Sequence, residues 1–285
     1  MNFEQFTKDI AELVSEVSIV EVVLSVTGLV ILVVWLFKTT FGAKALVNAP
    51  PRRNDMPAHL ALIPIFIWIM TVLVMDFAKR KAFADLSDWQ NAFADNLIMC
   101  LAAAPPITTI LVIAWMHYAR RLKGFGLNPK TIGRDLGASL LNLLTIMPVV
   151  WAVSILTVAG GKLIVGPQFE WPKHEELKLI LAYPQFSVRA LIIITTVLIV
   201  PIVEEMVFRG IFQTLLRSYI TKPWPAVILA SLVFILFHEN PQHWPALFAL
   251  SMFLGYAYEK SGSLFRSIFI HSMFNAMSVF TALGQ

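Results

Sequence analysis

Eight long apolar runs that contain no Asp, Glu, Lys or Arg constrain the fold of this chain more than any other feature. They cover residues 22–37, 60–75, 96–119, 136–161, 190–203, 223–237, 240–258 and 267–285. Since about 20 apolar residues cross a bilayer as a helix, the runs predict an all-α fold, a polytopic transmembrane bundle of about eight helices. With 58% hydrophobic residues and a mean hydropathy of +0.73, the chain is too apolar for a water-soluble fold.

Sequence patterns divide the chain into four parts. Residues 1–20 carry apolar side chains at helical spacing, which predicts an amphipathic helix. Residues 21–160 are expected to form a scaffold half of four spans, and residues 187–285 a second half of four spans. Residues 161–186 connect the halves, either through a short interfacial helix at 175–182 or as a cap over a cavity.

The Lys and Arg residues are unevenly distributed between alternate loops, and such residues in short loops tend to remain cytoplasmic. Placing both termini outside puts the larger basic set inside, so we predict that orientation for a multi-pass protein of the cell membrane. The basic excess requires no nucleic acid partner. Cys100 is the only cysteine and lies in an apolar run, which favours packing over reactivity.

Two adjacent carboxylates, Glu204 and Glu205, directly follow an uncharged apolar run. Charges at membrane depth are costly and usually face a partner or a cavity. Glu205 shares a helical face with Arg209 four residues later, whereas Glu204 points about 100° away. We therefore interpret Glu205 and Arg209 as a structural ion pair and Glu204 as the less compensated carboxylate, a candidate general base. Alternatively, all three mark an interfacial helix end.

Two further polar motifs lie in the last spans. His238 ends the run at 223–237, and if the chain turns near Lys222 it lies at a depth similar to that of Glu204. His271 and Asn275 are four residues apart and share a helical face, where both can donate to one oxyanion. Each motif has a structural alternative, because His and Asn also hold membrane helices together.

The motifs Glu204-Glu205-x-x-x-Arg209, Phe234-x-x-x-His238 and His271-x-x-x-Asn275, in this order, resemble those of the CAAX protease and bacteriocin-processing (CPBP, or Abi) family. The resemblance covers about residues 186–282. It implies an eight-helix intramembrane endopeptidase of the Rce1 type, with residues 187–285 as its catalytic half. The first Glu and the middle His of these motifs would activate water. The last His and the Asn would stabilise the oxyanion, and Glu205 and Arg209 would support the site.

Other protease motifs are absent from the sequence. His238 and His243 miss the His-Glu-x-x-His zinc spacing by one residue, and Pro241 interrupts the helix between them. Serine-type Gly-x-Ser-Gly and aspartyl-type Gly-x-Gly-Asp motifs do not occur. Glu204, His238 and His271 could nevertheless form a three-ligand zinc set, so the cofactor is either none or zinc, with metal-independent water attack favoured.

We therefore expect an intramembrane endopeptidase in which Glu204 deprotonates water ordered by His238. Its expected partners are the lipid bilayer and a peptide or lipidated protein, either a CAAX-type C-terminal tail or a leader or anchor peptide. Water would enter near residues 238–243, where Pro241 and Pro245 break the helix. Two alternatives remain open. A transporter could use the same groups as a proton relay, and a catalytically silent scaffold could share the fold.

Overall fold

The computed structural model describes residues 19–50, 54–83, 85–169, 171–172 and 175–283. The amphipathic helix predicted for residues 1–20 lies almost entirely outside these ranges. Within them the chain is helical and contains no β-strand, which confirms the all-α prediction. The helices are α1 Ile19–Lys38, α2 Ile63–Ala82, α3 Asp88–Ala102, α4 Ala104–His117, α5 Arg121–Phe125, α6 Ile132–Ile164, α7 Glu175–Ala182, α8 Phe186–Tyr219, α9 Pro223–Leu236, α10 Trp244–Ser261 and α11 Leu264–Leu283.

Four helical stretches are long and apolar enough to cross a membrane. They are Ala58–Ala82, Asp88–His117, Pro129–Ile164 and Phe186–Tyr219. Two shorter apolar helices, Val22–Lys38 and Pro223–Leu236, and the helices α10 and α11 coincide with the other four predicted runs. The protein is therefore a multi-pass membrane protein.

Prolines determine where several helices break. The helix at Asp88–His117 is interrupted at Ala103, just before Pro105 and Pro106 enter the first turn of α4. The sequence predicts a kink at this proline pair, since proline is tolerated only in the first turn of a helix, and the break at Ala103 confirms it. Between α9 and α10 the chain leaves helical conformation and resumes through a short 3₁₀ turn at Pro241–His243. The break predicted around Pro241 is therefore present.

Helix α8 contains two wide π-helical turns, Thr195–Ile199 and Met206–Gln213. Pro201 follows the first one and has no N–H to donate, which disfavours regular α-helical bonding in the preceding turn. The second turn begins directly after Glu205 and contains Arg209. Such turns are rare and often lie at functional sites, so the carboxylates occupy an unusual stretch of helix.

Close helix packing fixes the bundle around α6, which contacts α1, α10 and α11. A Cβ added to Gly28 of α1 would lie only 1.8 Å from the carbonyl oxygen of Leu144, so only glycine permits this approach. Farther along the chain, α8 is joined to α10 by buried polar contacts. Glu259 accepts hydrogen bonds from Gln213 at 3.2 Å and Arg217 at 2.8 Å.

Hydrogen bonds between loops define two ends of the bundle. At the first, which we call the basic end, the described parts of four loops meet, residues 39–50 and 54–62, 118–131, 220–222 and 262–263. Leu264 N donates to Gly126 O at 3.0 Å, and Trp224 Nε1 donates to Gly42 O at 3.0 Å. Residues 165–169, 171–172 and 175–185 lie at the opposite end with the loop at 237–243, where His243 Nε2 donates to Pro172 O at 2.8 Å. The basic end is the end predicted to face the cytoplasm.

Candidate active site

Glu205 and Arg209 form a fully buried ion pair inside the bundle. Arg209 Nη1 donates to Glu205 Oε1 at 2.7 Å, and the side chains are 1% and 0% exposed. The two side chains are four residues apart, and they are in contact although a wide turn begins directly after Glu205. Arg209 Nη2 also donates to Ser251 Oγ at 2.8 Å, and its Cζ lies 4.7 Å from the centre of the Phe234 ring. Arg209 is thus held by three helices, α8, α9 and α10.

His271 reaches both carboxylates from α11. Its Nδ1 lies 2.9 Å from Glu205 Oε1, and its Nε2 lies 3.7 Å from Glu204 Oε2. Because the first distance is a hydrogen bond to a carboxylate, Nδ1 carries the proton and donates it. Glu205 Oε1 therefore accepts from Arg209 and His271 together, whereas the contact of Nε2 with Glu204 is too long for a hydrogen bond.

Glu204 is the less compensated carboxylate of the pair. Its side chain is 14% exposed, and its ion-pair contact among the described residues is the 3.7 Å approach to His271. Glu205, by contrast, is paired with Arg209 and hydrogen-bonded to His271. This asymmetry agrees with the difference expected from helical spacing, although the role of Glu204 as a base stays a prediction.

His238 follows the last turn of α9 and faces the same region. Its Nδ1 lies 3.0 Å from Phe234 O, and since a carbonyl only accepts, Nδ1 carries the proton and Nε2 is left for other contacts. The imidazole packs 4.6 Å from the Phe234 ring and is close enough to Glu204 to interact electrostatically. Trp244 Nε1 donates to His238 O at 3.0 Å, which fixes the backbone of the turn.

Asn275 lies one turn after His271 on α11 and contacts α8. Its Nδ2 donates to Thr196 O at 2.9 Å, within the first wide turn of α8. One of the two N–H groups on Nδ2 therefore joins the helices, and the second N–H group is left for another acceptor. This contact is compatible with both sequence interpretations, an oxyanion donor or a link between helices.

Glu204, His238 and His271 were the candidate zinc ligands. Among the described residues, no group of three or more His, Cys, Asp or Glu side chains is placed so that it could hold a metal ion. We therefore derive no step of the chemistry through a metal.

The connecting segment contacts the loop at 237–243 through Trp171 and Pro172. It contains helix α7 at Glu175–Ala182, as one interpretation predicted, and a cap over a cavity stays a prediction. The Trp171 ring packs 4.7 Å from the imidazole of His243, which is only 2% exposed. Burial lowers the pKa of His243, although its hydrogen bond to Pro172 O opposes that shift.

Three contacts of the site were not predicted from sequence. Ser251 binds Arg209, Thr196 O accepts from Asn275, and Phe234 touches both Arg209 and His238. Phe234 is part of a quoted motif, but Ser251 lies in an apolar helix where a single hydroxyl carries no signal. Gly210, next to Arg209, lets the Phe125 ring approach so closely that an added Cβ would lie 2.2 Å from Phe125 Cζ.

The fold and this buried cluster define a multi-pass helical membrane protein with a polar site inside its bundle. Residues 186–277 match a family model described as "Type II CAAX prenyl endopeptidase Rce1-like". This match confirms, for that part of the chain, the resemblance drawn from the three motifs. Comparisons with curated proteins and with solved structures found no match.

Proposed function

We propose that this protein is an intramembrane endopeptidase that hydrolyses a peptide bond in a membrane-associated substrate. The substrate would be a CAAX-type C-terminal tail or a leader or anchor peptide. The family match at residues 186–277 supports the reaction class. The observation that carries the proposal is the asymmetry of the two carboxylates, since Arg209 and His271 both bind Glu205 and leave Glu204 available.

In this mechanism a water molecule donates one hydrogen bond to the Glu204 carboxylate and the other to His238 Nε2, and only the proton shared with Glu204 is transferred. The Nδ1–H of His238 is held by Phe234 O, so Nε2 presents a lone pair that can orient the water. As Glu204 takes the first proton, the water oxygen attacks the peptide carbonyl. A positioned general base of this kind contributes about 10²–10⁴-fold to the rate.

His271 and Asn275 would stabilise the tetrahedral oxyanion. His271 Nε2 faces Glu204, and Asn275 has a second N–H besides the one that binds Thr196 O. The His271 Nδ1–H already donates a hydrogen bond to Glu205. For Nε2 to donate to the oxyanion as well, the His271 ring must carry a proton on both nitrogens. Glu204 then returns the water proton to the leaving amine, the peptide bond breaks and a carboxylic acid and an amine are released. The acid then loses its proton to water.

The test is cleavage of a quenched fluorescent peptide library by the purified full chain in detergent. Glu204→Gln preserves the shape of the side chain but removes the base, so kcat/KM should fall by about 10²–10⁴-fold. Glu239→Gln is the matched control, since it removes an exposed carboxylate next to His238, and it should cleave like wild type. Equal cleavage by all three proteins would remove Glu204 from the mechanism.

A chelator arm tests the proposed absence of a metal from the reaction. Unchanged cleavage after chelation supports direct water activation by Glu204. Loss of cleavage that added Zn²⁺ restores would instead assign a zinc-dependent reaction.

A further inference from the structure

The basic end contains a pocket of about 580 Å³ that is separate from the carboxylate cluster. It lies where the loop at 118–131 meets the turn at 261–263, beside the ends of α4, α6, α10 and α11. Its volume is in the range of small-ligand sites, about 300–1,000 Å³. Of the described residues that line it, Arg120, Lys123 and Arg134 are cationic and none is acidic.

The walls of this pocket are fixed by contacts between the loops. Leu264 N donates to Gly126 O at 3.0 Å, and Tyr258 Oη donates to Phe125 O at 3.0 Å. Gly126 has φ +104°, and a Cβ there would lie 2.6 Å from Leu264 N, so glycine alone fits this junction. The cationic side chains are therefore carried by a backbone that is already in place, which reduces the ordering cost of binding.

The positive charge of the pocket is only partly neutralised. Asp135 is buried beneath Arg134 and is engaged by Arg266 at 2.9 Å, while Arg134 Nη2 approaches it at 3.6 Å. Within the described part of the chain, Arg120 and Lys123 form no ion pair and both side chains are exposed. The cluster thus has an excess of positive charge that faces the pocket.

Orientation of the protein in the membrane does not by itself require this arrangement. Loop cations need only lie on one side of the bilayer, whereas these three converge on one concavity with the amide of Asn128. Thr131 directly precedes α6, whose 33 residues place the positive end of a helix dipole at the pocket. Cations, amide donors and a helix N-terminus together match the oxygens of a phosphate group.

We propose that this pocket binds the phosphate group of an anionic phospholipid headgroup. The pocket lies at the ends of membrane-crossing helices, where headgroups are located, and basic pockets of this kind between helices bind such lipids. Arginine suits the role because its planar fork pairs with two phosphate oxygens at once. The proposal is independent of the peptidase reaction, since none of the pocket residues belongs to the carboxylate cluster.

Isothermal titration calorimetry of the delipidated full chain in neutral detergent tests the proposal with three probes. They are short-chain phosphatidic acid, short-chain phosphatidylcholine with the same acyl chains, and inorganic phosphate. The test variant is Arg120→Ala/Lys123→Ala. The matched control is Lys44→Ala/Lys222→Ala, which removes two exposed lysines of the same end that do not line the pocket.

Phosphatidic acid should bind wild type and the control equally, and the test variant about 30-fold more weakly, or about fivefold per cation. Phosphatidylcholine should bind far more weakly to all three proteins. If inorganic phosphate binds as tightly as phosphatidic acid, the site takes soluble phosphate and the lipid assignment is wrong. Equal affinity for both lipids would overturn the assignment of an anionic headgroup, since phosphatidylcholine also carries a phosphate. Equal affinity of the test and control variants would overturn the pocket as the binding site.

Discussion

Two buried acidic sites face helix α11, and they differ in how completely their carboxylates are paired. Near the basic end the site has a single carboxylate, Asp135, which accepts a hydrogen bond from Arg266 at 2.9 Å. One and a half turns farther along α11, His271 meets two adjacent carboxylates, and one of them, Glu205, takes both Arg209 and His271. Glu204 has no arginine partner and lies 3.7 Å from His271 Nε2.

The comparison indicates which property separates a structural ion pair from the site that we propose to be reactive. Burial and an arginine partner are common to Asp135 and Glu205, so neither property identifies chemistry. Of the two sites, that of Glu205 has a second carboxylate, Glu204. It lies near the Nε2 atoms of His238 and His271, for which the described residues provide no hydrogen-bond partner. The expected effects of substitution follow from this difference.

The largest combined effect is expected for Glu205→Gln. The substitution leaves the Arg209 guanidinium buried without a counter-charge, which costs about 3–5 kcal/mol of stability. It also removes the anionic partner of His271 Nδ1, so cleavage by the folded protein should fall by about tenfold or more. Thermal unfolding and kcat/KM, measured on the same preparation, check the two effects. A variant as stable and active as wild type would show that the pair is dispensable.

Asp135→Asn should affect stability but not cleavage. Arg266 would lose its counter-charge, but it is 17% exposed and can reach water, so we expect a cost of about 2 kcal/mol. The amount of folded protein should decrease while kcat/KM per folded molecule stays within about twofold of wild type. A large loss of cleavage at constant folding would contradict the division into a structural and a reactive site.

The smallest effect is expected for Ser251→Ala. It removes the hydroxyl that accepts from Arg209 at 2.8 Å but leaves the backbone oxygen of the same residue 3.3 Å from Nη2. Loss of one hydrogen bond to a charged group costs about 1.5 kcal/mol. Ser278→Ala is the matched control, because that hydroxyl binds only a carbonyl of its own helix, and its unfolding should change little. Equal unfolding of the two variants would remove Ser251 from the support of Arg209.

Local sequence patterns predicted the elements of the fold and part of the site. Apolar runs located the helices, the pair Pro105-Pro106 located a break, and the spacing of Glu205 and Arg209 anticipated their ion pair. Each of these features depends on neighbours within one or two helical turns. Such features are fixed by backbone geometry and do not require knowledge of how the helices pack.

Contacts between distant segments could not be predicted in the same way. The sequence placed His271 on the face of Asn275 but could not show that it reaches both glutamates, because that depends on the packing of α11 against α8. Asn275 contacts Thr196 O, which lies in the wide turn Thr195–Ile199 of α8. The residues of this turn contain no pattern from which the turn could be predicted. The phosphate pocket depends on two loops that meet only in the folded bundle.

The wide turn at Met206–Gln213 has a consequence for how this helix tolerates insertions and deletions. Hydrogen bonds that span five residues enclose one more residue than those of an α-helix. Deleting one residue inside the turn would let it close into an α-helix while the helix beyond it keeps nearly the same direction, because a wide turn and an α-turn each complete about one revolution. Arg217 would then still face Glu259. A deletion after the turn, between Thr214 and Arg217, would instead rotate Arg217 by about 100° and break its contact with Glu259.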